Sequence, residues 1–273
     1  MPSLTTSLPR LASYIDHSLL HPTLTDAEIL SGLDLAKAHS VAAACIKPYS
    51  IPLARKALAG SPVRICSVIG FPHGNSTTAM KLAEAKDAML SGAHEIDMVV
   101  NVGKVLSGDW EYVRDEIFVI NRAVTSIPVD GFVDYKTGLL KVIFENDFLG
   151  EEQIVRLCEI CTEVGVAYVK TSTGYGFVKQ AGGGYLYRGA TPGHLRIMRE
   201  RCGPGVKIKA AGGVRMLDEL LYVVSLGVER VGATATVEIL EEARRRGVGE
   251  EEGVSWPGVS MLTSGDASTA FGS

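Results

Sequence analysis

Cysteines, aromatic residues and long apolar runs are all scarce in this sequence. The 273 residues include five cysteines and 7% aromatic residues, and five cysteines in a chain of this size do not suggest a disulfide framework. No apolar run approaches the ~18 to 20 residues that a membrane-spanning helix needs. The start of the chain, MPSLTTSLPR, lacks the basic segment and apolar core of a secretory signal. We therefore expect a soluble cytoplasmic protein that has no membrane as a partner.

An excess of either charge is also missing. The chain has 27 lysine and arginine residues against 31 aspartate and glutamate residues, which gives a net charge of −4. Such a mild acidic balance gives no reason to expect nucleic acid as a partner. The six histidines are scattered and form neither H-x-H nor H-E-x-x-H, so we expect no catalytic metal.

One cysteine pair has a spacing that is found in redox and zinc sites. Cys158 and Cys161 form a C-x-x-C in the segment RLCEIC. Together with Ile154, Leu157 and Val164 they follow helical spacing, which places both thiols on the buried stripe of one helix. There is no second C-x-x-C, and no histidine lies nearby. The pattern favours a structural role in the core over a metal or redox site.

Short β-type runs alternate with amphipathic helical segments along most of the chain. The strands are predicted near residues 13–18, 43–48, 64–71, 95–101, 139–146, 167–173, 206–213 and 230–234. The helices are predicted near residues 26–39, 51–59, 78–91, 109–125, 151–164, 193–202, 216–226 and 235–246. Eight alternating pairs are typical of a (β/α)8 TIM barrel, a fold of the α/β class. We predict a single barrel domain over residues 1–246, with the first strand beginning near residue 13, and a disordered C-terminal tail over 247–273.

A doubly wound open sheet is the alternative fold. It normally carries a G-x-G-x-x-G fingerprint after its first strand, and the sequence has none there. The string TGYGFV supplies the first two glycines but is followed by Lys179 where the third should be. The barrel is therefore favoured, although strand five is ambiguous because VDGFVDYKTGLLKVIFEN contains two β-like runs back to back.

The helix predicted near 78–91 illustrates the amphipathic pattern. One face, which we expect to be buried, carries the apolar residues Ala79, Leu82, Ala83, Met89 and Leu90. The opposite face, which we expect in solvent, carries Lys81, Glu84 and Asp87.

Charged and polar residues recur at the carboxyl ends of the predicted strands, where barrel enzymes place their sites. These residues are Asp16, Lys47, Asp97, Asn101, Lys141, Glu145, Lys170 and Lys209. A solvated rim would account for one or two of them, so their number around one mouth indicates a functional site.

Lys170 and Lys209 lie on predicted strands six and seven, which are neighbours in a barrel. A free lysine is almost entirely protonated at pH 7, but burial and a second ammonium group favour the neutral, nucleophilic amine. The pair therefore fits an enzyme that forms a Schiff base with a carbonyl substrate. The pattern leaves open the alternative that both lysines reach solvent or bind a phosphate. Asp97, set among apolar neighbours, is either ion-paired or a proton carrier, or both.

Two glycine-containing turns, KAAGGV over 209–214 and VGATAT over 231–236, close predicted strands seven and eight. Glycine lets backbone N–H groups approach an anion, and barrels commonly bind phosphate with the loops after these two strands. The two turns together predict a phosphate site.

The order of these motifs resembles that of the deoxyribose-phosphate aldolases, a family of class I aldolases, over about residues 13 to 240. The segments that carry the resemblance are IDHSLLHPTLT, ACIKP, CSVIGFPHGN, EIDMVVNVG, LLKVIFEN, KTSTGYG, KAAGGVR and RVGATAT. The resemblance implies a (β/α)8 barrel that reversibly cleaves 2-deoxy-D-ribose 5-phosphate to D-glyceraldehyde 3-phosphate and acetaldehyde. The reaction it implies proceeds through a lysine Schiff base, without a metal or another cofactor. It also implies a sugar phosphate and aldehydes as small-molecule partners and a homodimer as the assembly.

The resemblance assigns three catalytic residues. Lys170 of KTSTG matches the Schiff-base lysine, Asp97 of EIDMVV matches the acid/base residue, and Lys209 of KAAGG matches the proton-transfer residue that also tunes the nucleophile. The candidate substrate-binding and phosphate-binding residues are Asp16, Lys141, Thr171, Gly212, Gly213, Gly232 and Thr234.

The chain departs from the family pattern in three places. Strand five corresponds to LLKVIFEN, so Lys136 in DYKTG belongs to an extra segment over 129–138. The loop over 175–192 is longer than is usual. Thr234 stands in place of a more usual serine and Ala235 in place of a second hydroxyl residue, which predicts a lower phosphate affinity.

Two alternative functions remain open at the level of the residues. One is a transaldolase-like enzyme that forms an imine with a larger sugar phosphate. The other is a non-catalytic barrel that binds a sugar phosphate, although such a protein would normally have lost one of the two lysines.

Overall fold

The computed structural model describes residues 4–129, 131–132, 136–251 and 254–256. Within this part of the chain, eight parallel strands close a barrel in which β8 pairs with β1. The strands are β1 (Ile15–Leu19), β2 (Ala43–Ile46), β3 (Arg64–Ile69), β4 (Glu95–Val99), β5 (Leu139–Ile143), β6 (Tyr168–Lys170), β7 (Lys207–Ala211) and β8 (Arg230–Ala233). The predicted (β/α)8 TIM barrel is confirmed, and each strand lies where the sequence predicts one.

The strands are rich in β-branched and small apolar residues because both faces of a parallel barrel sheet are buried. Most of their residues have no access to solvent. The register sets three pairs of candidate residues side by side on adjacent strands: Asp97 with Lys141, Lys170 with Lys209, and Asp16 with Gly232. The hydrogen-bonded sheet therefore determines which candidate side chains can meet.

Eight helices follow the strands around the outside of the barrel. They are α1 (Asp26–Ala38), α2 (Ile51–Ala57), α3 (Thr78–Ser91), α4 (Trp110–Thr125), α5 (Glu151–Val164), α6 (Pro192–Arg201), α7 (Leu217–Ser225) and α8 (Thr236–Arg245). Gly92 and Gly165 end α3 and α5 with φ values of 109° and 73°, a left-handed conformation that glycine adopts without strain. Short additional helices cover Leu8–Ala12 and Val102–Leu106. Among the described residues, no helix is both long enough and apolar enough to cross a bilayer.

The buried side of α3 differs from the prediction. Lys81 is fully buried, whereas Leu90 is 75% exposed. Nζ of Lys81 lies 2.9 Å from Oε1 of Glu116 on α4 and donates to the backbone oxygen of Val99 at 2.8 Å. The assignment of Lys81 to solvent was wrong, because an ion pair and a backbone acceptor compensate for burying the ammonium group. The assignment of Ala79, Ala83 and Leu90 to the buried face was also wrong, since all three are exposed.

Two uncertain features of the sequence have clear positions in the fold. Strand five is Leu139–Ile143, and Lys136 is exposed ahead of it, at the end of the barrel opposite the strands' carboxyl ends. Cys158 and Cys161 are buried on α5. The helical spacing therefore identified both thiols correctly as core residues.

Two short strands outside the barrel join the ends of the described chain. Leu4–Thr6 runs antiparallel to Val254–Trp256, and the N–H of Leu8 donates to the backbone oxygen of Gly249 at 2.8 Å. Ordered structure thus extends into the tail that was predicted to be disordered. Residues 257–273 of that tail lie outside the described residues, and the domain boundary stays a prediction.

Candidate active site

The inner faces of β4, β5, β6 and β7 bring together one aspartate and three lysines. Asp97, Lys141 and Lys209 are fully enclosed, and Lys170 is 2% exposed. They meet because they occupy matched positions on adjacent strands, and alternate residues of a strand point to the same face.

Asp97 lies at the centre of this group. Its Oδ2 is 2.9 Å from Nζ of Lys170 and 2.8 Å from Nζ of Lys209. Its Oδ1 is 2.9 Å from Nζ of Lys141. A single carboxylate oxygen therefore bridges Lys170 and Lys209. Because both lysines are buried in ion pairs, the alternative in which they extend to solvent does not hold.

Asp16 on β1 and Glu95 on β4 extend the network around the barrel. Oδ2 of Asp16 lies 2.5 Å from Nζ of Lys209, and its Oδ1 lies 2.6 Å from Nη1 of Arg230. Oε2 of Glu95 lies 2.5 Å from Nζ of Lys141, and its Oε1 lies 3.2 Å from Nη2 of Arg230. Arg230 thus closes a ring of charges between the last barrel strand and the first.

The network contains more positive than negative groups. Five cations face three anions, so the fully ionised network carries a net charge of 5 − 3 = +2. The cations are Lys141, Lys170, Lys209, Arg230 and the less deeply buried Arg64, whose Nε lies 3.8 Å from Oε1 of Glu95, and the anions are Asp16, Glu95 and Asp97. In a buried site this surplus favours the loss of one proton from an ammonium group.

The charges determine which groups stay ionised. Burial alone would raise the pKa of Asp97, but the ammonium groups of Lys141, Lys170 and Lys209 hold that pKa well below its usual range. Burial alone would lower the pKa of Lys209, but the carboxylates of Asp16 and Asp97 raise it above its usual value. At neutral pH, Asp97 is therefore an anion and Lys209 a cation.

A cavity of about 470 Å³ opens at the carboxyl ends of the strands. Lys170 and Lys209 line its inner end. Four predicted phosphate-binding residues also line it: Gly212, Gly213, Gly232 and Thr234. Gly212 and Gly213 have φ values of 86° and 92°, which only glycine adopts readily. The structure therefore places the reactive groups and the predicted phosphate loops around one space.

The other three predicted binding residues lie outside the cavity lining. The hydroxyl of Thr171 donates to the backbone oxygen of Ala211 and accepts from its N–H, both at 3.0 Å, and so ties β6 to β7. Asp16 and Lys141 belong to the charge network beneath the cavity. Direct contact of these three residues with a substrate stays a prediction.

Most of the chain matches one protein family. The model of the DeoC/LacD family aldolases covers residues 10–248. The chain belongs to this family. A deoxyribose-phosphate aldolase of Rhodopirellula baltica is 48% identical over 236 residues, which cover 86% of this chain and 90% of the relative. A deoxyribose-phosphate aldolase of Treponema denticola is 40% identical and covers 84% of this chain and 98% of its own length.

A solved structure supports the same assignment. The deoxyribose phosphate aldolase from Aeropyrum pernix, described as a unique tetramer, matches with a TM-score of 0.71 and 27% identity. The match covers 87% of this chain and 92% of that chain. The resemblance inferred from the motifs is confirmed, and the protein is a member of a family of lyases.

In this DeoC/LacD aldolase, two charged residues of the network were missed from the sequence. Glu95 lies two residues before Asp97, and Arg230 lies two residues before Gly232. The period-two alternation of a strand would have placed each of them on the same face as a predicted site residue. Arg215 was also missed, and it lines the cavity directly after the first glycine turn.

Two thiols also belong to the aldolase site. Cys45 on β2 and Cys66 on β3 are paired in register. Sγ of Cys66 donates to Oδ1 of Asp97 at 3.1 Å, and burial raises the pKa of this thiol. The ligand atoms of Cys45, Cys66 and Asp97 lie within 4.8 Å of one another, as a metal site requires. A cation there would compete with the three ammonium groups that already contact Asp97.

The remaining strand-end residues make structural contacts. Lys47 donates to a backbone oxygen at 2.8 Å, and Asn101 caps the helix Val102–Leu106. The buried Glu145, after β5, accepts hydrogen bonds from both the N–H and the hydroxyl of Thr173. Burial raises the pKa of Glu145 to about 7. None of these three residues forms an ion pair with the charge network within the described part of the chain.

Proposed function

We propose that this aldolase reversibly cleaves 2-deoxy-D-ribose 5-phosphate to D-glyceraldehyde 3-phosphate and acetaldehyde, with Lys170 as the Schiff-base nucleophile. The observation that carries the proposal is the sharing of one Asp97 oxygen by Lys170 and Lys209 at the inner end of the cavity. The names of the relatives from Rhodopirellula baltica and Treponema denticola support the same substrate.

The surplus positive charge explains how Lys170 could become a nucleophile. If Lys170 loses its proton, the net charge of the network falls from +2 to +1. Lys170 lines the cavity, whereas Lys141 does not. Lys209 is held in its charged form by Asp16 and Asp97. Lys170 is therefore the amine that can both give up a proton and reach a carbonyl carbon.

The proposed reaction begins on the open-chain sugar. The neutral amine of Lys170 attacks the aldehyde carbon, and loss of water gives a protonated imine. The carboxylate of Asp97, acting through water and paired with the charged Lys209, takes the proton of the C3 hydroxyl as the C2–C3 bond breaks. D-Glyceraldehyde 3-phosphate leaves, and the imine accepts the bond's electrons to become an enamine. Protonation of the enamine at C2, followed by hydrolysis, releases acetaldehyde and regenerates Lys170.

The phosphate would bind along the part of the cavity that is lined by Gly212 and by Gly232 of β8. Helices α7 and α8 begin a few residues after these two glycines. Backbone N–H groups and helix N-termini attract an anion, and Arg215 adds a positive charge to the same lining. The substrate would thus span the cavity from its aldehyde at Lys170 to its phosphate at the glycine turns.

Borohydride trapping tests the nucleophile directly. Reduction in the presence of acetaldehyde should leave a two-carbon adduct on Lys170, located by peptide mass. Lys136→Met is the matched control, since Lys136 is exposed at the other end of the barrel, and this variant should still be trapped.

An adduct on Lys136 or Lys141 alone would refute the assignment, and intact phosphate binding with no turnover would indicate a non-catalytic barrel. Preference for a dihydroxyacetone-type donor over acetaldehyde would indicate a transaldolase-like enzyme.

Assembly and location stay predictions. The sequence resemblance implies a homodimer, whereas the relative from Aeropyrum pernix is described as a tetramer. Light scattering on the purified chain would distinguish the two, since their masses differ twofold. The cytoplasmic location can be tested by fractionating the cells that express the protein.

A further inference from the structure

The long loop after β6 is an ordered hairpin beside the cavity. We call residues 175–190 the β6 hairpin. Val178–Lys179 pairs antiparallel with Tyr185–Leu186. The turn between them is closed by the N–H of Gln180, which donates to the backbone oxygen of Gly184 at 2.8 Å. This element has a defined shape, so its side chains occupy defined positions next to the cavity.

The base of the β6 hairpin is fixed to the rest of the barrel mouth. The carboxylate of Asp147 accepts hydrogen bonds from the N–H groups of Arg188 and Gly189, the latter at 3.0 Å. The N–H of Ala190 donates to the backbone oxygen of Gly212 at 3.0 Å. A Cβ on Gly189 would lie 2.6 Å from that oxygen, so only glycine allows this approach. The hairpin is therefore attached directly to the predicted phosphate loop.

Tyr187 is the hairpin side chain closest to this loop. Its Cε2 lies 3.4 Å from the position that a Cβ on Gly212 would take. The hydroxyl is carried by the ring carbon next to Cε2. Phe177 packs edge-to-face against the ring, with centroids 5.4 Å apart at 78°. Both rings line the cavity, and within the described part of the chain the Tyr187 hydroxyl makes no hydrogen bond.

We propose that Tyr187 is a specificity-determining residue whose hydroxyl donates a hydrogen bond to the phosphate end of the substrate. This assignment rests on the proposed aldolase function. Phe177 packs against the ring, and the bonds of the hairpin backbone to Asp147 and Gly212 fix the segment that carries it, so little freedom is lost on binding. A hydrogen bond to a charged group is stronger than one to a neutral group. Tyr187 therefore favours a phosphorylated acceptor aldehyde over the same aldehyde without phosphate.

The test compares two conservative variants of the same hairpin. Tyr187→Phe removes only the hydroxyl group. Tyr185→Phe removes an equivalent hydroxyl from a residue that is 66% exposed and does not line the cavity. For each protein, kcat/KM is measured with acetaldehyde as donor and either D-glyceraldehyde 3-phosphate or D-glyceraldehyde as acceptor.

The expected result is a loss of phosphate preference in one variant only. The ratio is kcat/KM with D-glyceraldehyde 3-phosphate divided by kcat/KM with D-glyceraldehyde. Tyr187→Phe should lower this ratio by at least about tenfold, while Tyr185→Phe should change it less than twofold. An unchanged ratio in Tyr187→Phe, or an equal fall in both variants, would overturn the proposal.

A binding measurement separates this proposal from the proposed function. Calorimetry with inorganic phosphate needs no turnover and applies to the same three proteins. Weaker phosphate binding by Tyr187→Phe alone supports the role of Tyr187 even if the wild type has no aldolase activity. Equal affinity in all three proteins contradicts the role of Tyr187 even if the wild type is an active aldolase.

Discussion

Lys170 and Lys81 are both buried, and each ammonium group lies 2.9 Å from a carboxylate oxygen, yet their surroundings differ. The side chain of Lys81 on α3 pairs with that of Glu116 on α4, and Lys81 does not line the cavity. Lys170 belongs to a network in which cations outnumber anions by two, and it lines that cavity. Burial and ion pairing are therefore insufficient to identify a reactive lysine; unbalanced charge and access to the substrate distinguish the two.

The largest expected effect separates these lysines by activity. Lys170→Met should lower kcat by at least ~10³-fold, because the covalent step has lost its nucleophile. The variant should still fold, since Asp97 keeps Lys141 and Lys209 as partners. Steady-state kinetics and circular dichroism measure the two properties. Residual activity within tenfold of the wild type would remove Lys170 from the mechanism.

The second effect separates the same lysines by stability. Lys81→Met should lower the free energy of unfolding by ~3–5 kcal/mol, because it leaves the buried Glu116 without its ion-pair partner. The kcat of the folded fraction should remain close to the wild-type value. The double variant Lys81→Met, Glu116→Gln should recover most of the loss in a urea titration. A double variant as unstable as the single one would show that packing, and not the uncompensated charge, causes the loss.

A third variant tests whether the neighbouring charge makes Lys170 reactive. Lys209→Leu removes one positive charge from the network, which favours the protonated form of the remaining network up to a higher pH. The acid limb of the rate profile should therefore move to higher pH, and kcat at pH 7 should fall by ~10²-fold, equivalent to ~3 kcal/mol in activation free energy. A uniform fall in rate at every pH would instead indicate a purely structural role for Lys209.

The comparison extends to the carboxyl groups of the site. Three ammonium groups lower the pKa of Asp97, whereas burial raises that of Glu145 from 4.5 to about 7. Between pH 4.5 and 7 the unfolded chain therefore releases a proton that folded Glu145 retains. The free energy of unfolding should fall through this window, by up to ~3 kcal/mol above pH 7.

Glu145→Gln should remove this pH-dependent loss. Compared with the wild type, the variant should gain stability by ~3 kcal/mol at pH 8 and by much less at pH 5, as urea unfolding at the two pH values would measure. The amide can still accept a hydrogen bond from Thr173. An equal difference at both pH values would contradict the raised pKa.

Elements with a regular period were predictable from the sequence. The eight strands and eight helices were located by periodicity, because burial on a barrel selects apolar residues at fixed intervals. Lys170, Lys209 and Asp97 were found because a charge within an apolar strand needs a partner. Glu95 and Arg230 follow the same rule, but they are the first residues of their strands. Barrel sites are expected at the opposite, carboxyl ends of the strands, so neither residue was predicted.

Features that depend on contacts between distant residues were not predictable. Lys81 looked like a solvent residue, because only the fold shows that Glu116 on another helix lies within reach. The β6 hairpin looked like an irregular glycine-rich loop, because its position depends on Asp147, about forty residues earlier in the chain. Helical and strand periods describe neighbours within one element and contain no information about such long-range pairs.

Leu4–Thr6 precedes β1 in the chain and Val254–Trp256 follows α8, so their antiparallel pairing ties together the segments on either side of the barrel sequence. The barrel is closed by the pairing of β8 with β1, and Asp16 and Arg230 form their ion pair between these two strands. Shortening the chain at either end should therefore loosen β1, β8 and the charge network, without removing any residue of that network. Hydrogen exchange should detect this loosening first, as faster exchange of the amides of Ile15–Leu19 and Arg230–Ala233 than of the other barrel strands.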